Sequence, residues 1–482
     1  VSGGDHIGGI VGFNPTSDSI REAFFNGKII LSHNKESIGV GGIVGKSAHA
    51  AAQVYHAASK GIIFGHGKDF GGIAGYLKGS LNNSYSEMAI VNTRDSISLN
   101  LGGLVGKFEG TSVSKSFYAG KLYFEEPGCT TCKQVLGYGS PSFTSVLVSD
   151  EVSAQPQATN VSDAALNTLS GTPWNAFPWQ LEAGRYPFLS GEEDLCHGDA
   201  LKPIADQINI NNYGKSEDRP AIICNRDQFM EIDGIAGHFF ELGKSINLGD
   251  GQGGLDLKSK LNGNNHSIII NDIGTDATFA GIFNKISLSA TIENLNVFGM
   301  ADKGEAVLAG TNNGLINNVH VFGVRNGASA TENGIMVGVN QGLISKSSVY
   351  GRSDIFFNFG AVAGVNKNQI TKTKSLVSLN DTTSSSVSNL GGLVGHNDAA
   401  GLILESKALS LIDIGASSGA FSVGGLVGVN DGVVSNTYVE LGSEIALPSS
   451  LGDIGGLVGI NNGQVKNSYS MNKMFTYSFV PS

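Results

Sequence analysis

The chain has 482 residues, of which 40% are hydrophobic and only 15% charged, with a net charge of −11, 68 glycines and 11 prolines. A charged share well below the usual value of about 25% leaves Ser, Thr, Asn and Gln to build the polar surface. Lys and Arg are scattered along the sequence, which argues against a nucleic-acid partner, and every longer apolar run is cut by Gly, Asn or Asp, so none reads as a membrane span of about 20 residues.

The first elements in chain order are short strands built around a glycine motif. GGIVG begins at Gly8 and Gly41, GGIAG at Gly71 and GGLVG at Gly102, in steps of 33, 30 and 31 residues. Self-similarity at such a period signals a solenoid, a propeller or an array. A turn and a second short strand follow each motif, and a third, variable strand leads to the next. A propeller blade needs four strands in about 40–50 residues, and an antiparallel sandwich would not repeat one sequence at fixed spacing. The expected fold class is therefore all-β: two consecutive parallel β-helices (β-solenoids) with short helical caps. Stacked coils lie about 4.8 Å apart, so a Cβ in the tightest column would meet its neighbours above and below. Glycine removes that atom and permits positive φ. Residue 1 is Val rather than Met, which points to a processed chain or an excerpt.

The period breaks between about residues 120 and 222. SDAALNTLSG, Ser162 to Gly171, reads as a short helix with Ser162 as N-cap. The next stretch carries both tryptophans; Trp174, Phe177, Trp179, Tyr186 and Phe188 are expected to cover the open end of the last coil, making 160–190 a C-terminal cap. A polar linker starts near Glu192, and Asn225 and Gln228 then have capping-box spacing for a helix that offers Phe229, Met230 and Ile232 to the next coil. The domains expected are 1–191, a linker at 192–220, and 221–482.

In the second block, degenerate motifs end at Gly310 and begin at Gly334, followed by GAVAG at Gly360 and GGLVG at Gly391, Gly424 and Gly455, the last four in steps of 31, 33 and 31 residues. The Asn after the motif, at Asn340, Asn366, Asn397, Asn430 and Asn461, is expected to form an amide ladder at a turn, a structural rather than ligand-binding role. DIFFNFG, Asp354 to Gly360, is an aromatic cluster for which a core or end-capping place is favoured over an exposed binding patch.

GGLVG followed by a short turn and a second strand resembles the GLUG repeat of bacterial surface and secreted proteins, over two blocks and most of the chain. The resemblance implies an extracellular adhesin-like or surface-scaffold protein, and a Trp…Tyr-Pro segment closing a repeat block. Some relatives carry a separate immunoglobulin A-cleaving metalloprotease domain, but no HExxH occurs here.

Residues in patterns that carry chemistry are few. The four cysteines are Cys129, Cys132, Cys196 and Cys224; three pairings are open, and Cys129–Cys132 with Cys196–Cys224 is favoured. A structural bridge is preferred to redox chemistry at CTTC because a loop, not a βαβ unit, surrounds it. No P-loop occurs, and DGQGG at Asp250 to Gly254 reads as a loop. His33, His49, His56 and His66 are dispersed, and the acidic groups Glu125–Glu126 and Glu192–Glu193–Asp194 lie in loop-like segments. No cofactor, metal site or catalytic residue is expected. The expected function is structural or adhesive at the cell surface, with a carbohydrate-active β-helix enzyme as the alternative. Expected partners are the chain itself, head-to-tail through open solenoid ends, and surface glycans or host proteins. Joining Gly455 to Gly8 of a second copy would span 35 residues, close to the internal period.

Overall fold

The structure is a computed structural model describing residues 5–31, 37–92, 100–124, 132–133, 135–139, 141–149, 158–161, 169, 173–174, 176, 178–181, 187–189, 195–251, 253–273, 280–301, 305–325, 332–354, 357–381, 388–414, 422–448 and 452–477. The expected short helix at 162–171 lies almost wholly outside these residues. The chain divides into two units, 1–201 and 202–482. Each is a stack of parallel coils, as the repeat requires.

In the first unit a coil has three sides. One short strand ends on the first glycine of the motif (Asp5–Gly8, Ser37–Gly41, Gly67–Gly71), and these strands stack in register, Gly8 on Gly41 on Gly71 on Gly102. A second follows at once (Val11–Asn14, Val44–Ser47, Ala74–Leu77, Val105–Phe108). The third side is long rather than short: Ile20–Ile30 pairs with Gln53–Gly65 over ten register positions.

Hydrogen bonding explains how the motif turns the chain. The N–H groups of two consecutive residues converge on one carbonyl of the next coil, Ile43 and Val44 on Ile73, and Leu426 and Val427 on Leu457. Strand alternation is interrupted there, so both aliphatic residues of the motif point inward. Leu426 and Val427 are both fully buried in the second unit's core.

A second corner lies within the long side and uses non-glycine residues at positive φ. Glu22, His56, Asn83, Lys115 and Ser145 form this column in the first unit; Asn294, Asn318, Lys346, Lys372, Glu405, Asn436 and Asn467 form it in the second. Asn accepts the left-handed region readily, while Lys and Glu pay a steric cost there. A hydroxyl one residue on holds the bend. Ser347 Oγ donates to Ser345 O and accepts from Val319 N of the preceding coil; Ser84 and Ser406 repeat the arrangement.

The second unit opens with helix Ile204–Asn211, strand Ala221–Ile223 and helix Arg226–Met230. Asn225 Oδ1 accepts from Gln228 N at 2.9 Å, and Gln228 Oε1 accepts from Cys224 N rather than from the cap residue's own N–H. Phe229 and Ile232 are fully buried against the first coils, with Met230 packed beside them. The stretch expected as a linker, 192–220, is thus structured in part: Ile204 and Ile208 belong to the same core.

The tryptophan segment does not lie where the sequence suggested. Trp174, Trp179 and Leu189 cluster with Ala58, Tyr85, Phe117 and Leu147, with Phe24 beside them. Phe24, Ala58, Tyr85, Phe117 and Leu147 form one outward column over five coils. The segment therefore roofs a flank instead of the end of the last coil. Tyr85 and Phe117 stack at 4.7 Å, and Trp179 Nε1 donates to Asn83 Oδ1 at 3.3 Å. The outward rings of Phe24, Tyr85 and Phe117 are apolar area that would otherwise face water, which gives the physical reason. Phe177 and Tyr186 lie outside the described residues.

Candidate functional site

The motif glycines fall into two columns with different constraints. A Cβ on Gly424 would sit 1.9 Å from Val427 O, three residues on in its own coil. The same carbonyl contact, between 1.7 and 2.3 Å, recurs at Gly8, Gly41, Gly71, Gly102, Gly360, Gly391 and Gly455. A Cβ on the next glycine meets the neighbouring coil instead, as for Gly425 against Gly456 O at 2.3 Å. Crowding between coils, expected of the first column, therefore acts most directly on the second. None of the eight first-column glycines has positive φ; that conformation occurs at the second corner and again two residues before the motif, at His6, Gly39, Asp69, Asn358 and Asn389.

The asparagine ladder runs through six coils. Each side-chain amide donates to the Oδ1 of the next: Asn312 to Asn340, Asn340 to Asn366 and Asn366 to Asn397 at 2.8 Å, then Asn397 to Asn430 and Asn430 to Asn461 at 2.7 Å. The first five are fully buried, and backbone groups at the turn take up further valences, as where Asn397 Nδ2 donates to Gly401 O. In the first unit, Asn14 donates to Ser47 Oγ, and Leu77 and Phe108 take the next positions. The ladder is thus structural.

Cys196 and Cys224 are buried and disulfide-bonded. Cys129 and the side chain of Cys132 lie outside the described residues, as do His33, Glu125–Glu126 and Glu192–Glu193–Asp194. Phe359 of the DIFFNFG cluster is fully buried in the core, while Phe357 is exposed. Among the described residues no group of three His, Cys, Asp or Glu side chains is placed to hold a metal, and no helix is long and apolar enough to cross a membrane.

Most ion pairs on the coils are superficial, whereas Lys60 and Glu87, 3.7 Å apart, are both buried. Asp431 accepts from Asn462 Nδ2 and lies 2.8 Å from His396 Nε2; the Asn462 bond, then the histidine, lowers its pKa. A depressed carboxylate contributes stability that is present above its unfolded pKa and is lost as pH falls through the folded value. Both side chains are about one-third exposed, so solvent screens the pair. Asp431→Asn is expected to cost less than about 1 kcal/mol at neutral pH, read as a thermal midpoint nearly unchanged there and a smaller stability loss on acidification than in the parent.

One surface of the first unit was not legible as a site. The residue after each motif's closing glycine is Phe13, Lys46, Tyr76, Lys107 and Tyr138, and these five stack in register. Lys46 Nζ lies 5.8 Å from the Phe13 ring centre and 5.3 Å from that of Tyr76; Lys107 Nζ lies 5.4 Å from Tyr76 and 6.0 Å from Tyr138. Tyr76 donates to Glu109 at 2.6 Å, and Lys107 pairs with the same carboxylate at 2.9 Å. Burial, then the Glu109 hydrogen bond and charge, pushes the Tyr76 hydroxyl up to about 12. Burial raises the nearby Asp69 carboxyl, against the hydrogen bond from Asn100 and the charges of Lys107, Lys68 and Lys46. The missed signal is the alternation of aromatic and cation at one repeat position; the second unit has Lys285, Thr311, Val339, Val365, His396, Val429 and Ile460 there, with no aromatic ring.

No family model matches the chain, and no curated protein matches it. A crystal structure from Bacteroides ovatus, described as that of a candidate immunoglobulin A1 protease, aligns at 17% identity with a TM-score of 0.36, covering 54% of this chain and 86% of the other.

Proposed function

We propose that the chain is an extracellular, non-enzymatic structural and adhesive β-solenoid of the GLUG-repeat kind, whose outermost coils are extended end to end by further coils. The observation that carries this reading is the apolar, strand-edged faces of the outermost described coils. Among the described residues, Asp5–Gly8 and Val11–Asn14 pair on one side only, and so do Val458–Asn461, Gln464–Lys466 and Lys473–Tyr477. Ile10 is 52% exposed on the first coil, Val465 38% on the last. Such faces join unpaired strand edges to apolar side chains, the combination that templates further pairing. A contact between two different faces does not close and so generates fibres. The buried disulfide favours an oxidising compartment.

The extending coils come from a second copy or from the same polypeptide, and intact mass of the native material separates the two. Electron microscopy of the purified chain should show rods that lengthen with concentration. Val465→Lys, which puts a charge on the last coil's face, should shorten them. A monodisperse monomer at high concentration, joined to no coils in the native material, would overturn the stacking.

A further inference from the structure

We infer that the ladder Phe13–Lys46–Tyr76–Lys107–Tyr138 is a docking track for an acidic polysaccharide lying along the coil axis. This rests on the adhesive part of the function proposed above, not on stacking. The two lysines bracket the Tyr76 ring from opposite sides, so its faces are turned along the stack and its edge outward. Ring edges carry the positive end of the aromatic quadrupole, so edges and ammonium heads together present a positive line. Lys68 and Lys78 flank this line and act on Asp69 and Glu109 respectively. Asp69 is buried and bonded to Asn100, which leaves Glu109 as the exposed acid among four lysines. On a chain of net charge −11 this is a local reversal of sign.

The spacing selects the partner. Lys46 and Lys107 are two coils apart, roughly 10 Å at about 4.8 Å per coil. That matches the advance of one disaccharide in an extended β-linked polymer, so carboxylates on alternate sugars would meet successive lysines. Phe13 and Tyr138, 49% and 52% exposed at the ends of the track, extend it with apolar ring edges against the C–H groups of the flanking sugars. A globular partner would gain nothing from a straight, one-residue-wide row; an extended acidic peptide is the competing occupant, and it lacks those C–H groups.

The test uses the full chain with alginate oligomers, neutral mannan and poly-glutamate, followed by calorimetry at two salt concentrations. Alginate should bind, more weakly at higher salt, and mannan should not. Lys46→Gln with Lys107→Gln should weaken alginate binding by about tenfold or more, the effect of losing two charge-assisted contacts, while the paired Arg substitutions retain it. Lys407→Gln, at a similar cation–π contact in the second unit, should leave binding unchanged. Thermal midpoints of all variants report whether the coils remain folded. No alginate binding, binding indifferent to the double substitution, or equal binding of poly-glutamate would each overturn the assignment. Repeating the titration on Val465→Lys separates this result from stacking, since unstacked chains should bind alginate as well.

Discussion

Gly424→Ala is expected to destabilise the second unit by more than about 4 kcal/mol, an exceptional cost for one methyl group. The added Cβ would sit 1.9 Å from Val427 O and 2.9 Å from Gly459 N, and both are backbone atoms. No side chain can swing away, so the corner itself must open. Opening it disturbs the shared carbonyl of Leu457, on which both Leu426 and Val427 donate, and the register of Gly391, Gly424 and Gly455. A control separates steric exclusion from the loss of a glycine as such. Gly234 has positive φ but nothing within 4 Å of its built Cβ, so Gly234→Ala should cost only about 1–2 kcal/mol. Urea titration compares the two. Equal costs would mean that the corner yields more easily than its geometry implies.

Asn397→Ala should cost about 3 kcal/mol. The residue accepts from Asn366 and donates to Asn430, and its removal leaves a buried donor and a buried acceptor without those partners, at about 1–3 kcal/mol each. Asn461→Ala removes one acceptor at the exposed end of the same ladder and should cost less than about 1 kcal/mol. Repeat stacks share stability between neighbours, so the Asn397 defect should spread to the coils of Asn366 and Asn430. Amide exchange resolves this: faster exchange in those flanking coils is the expected result, and protection unchanged outside the Asn397 coil would contradict the ladder's cooperative role.

The parts of this protein that were legible in the sequence are those that repeat. Identical residues at a step near 31 must stack in columns, and from that alone follow the parallel coils, the inward Val, Ile and Leu, and the Asn ladder. The helix at Arg226–Met230 was legible because its cap is local, Asn225 to Gln228. The second corner was not. Its column mixes Asn, Lys, Glu, His and Ser, so no residue type announces it; only the backbone conformation is shared. The tryptophans read as a cover in the sequence, but not which surface they cover, because the outward column they roof comes from five separate coils and four residue types.

The sequence by itself thus determined the period, the all-β class and the positions where side chains must be absent, since backbone crowding at a fixed spacing tolerates only glycine. Tertiary structure decided what lies outside the coil. Lysines that look scattered along the chain gather beside Tyr76, one register position apart, because coil stacking converts a separation of about 31 residues into about 4.8 Å. Outward faces obey no common packing rule, so their chemistry is set by which residues happen to fall in one column, and that is visible only once the coils are stacked.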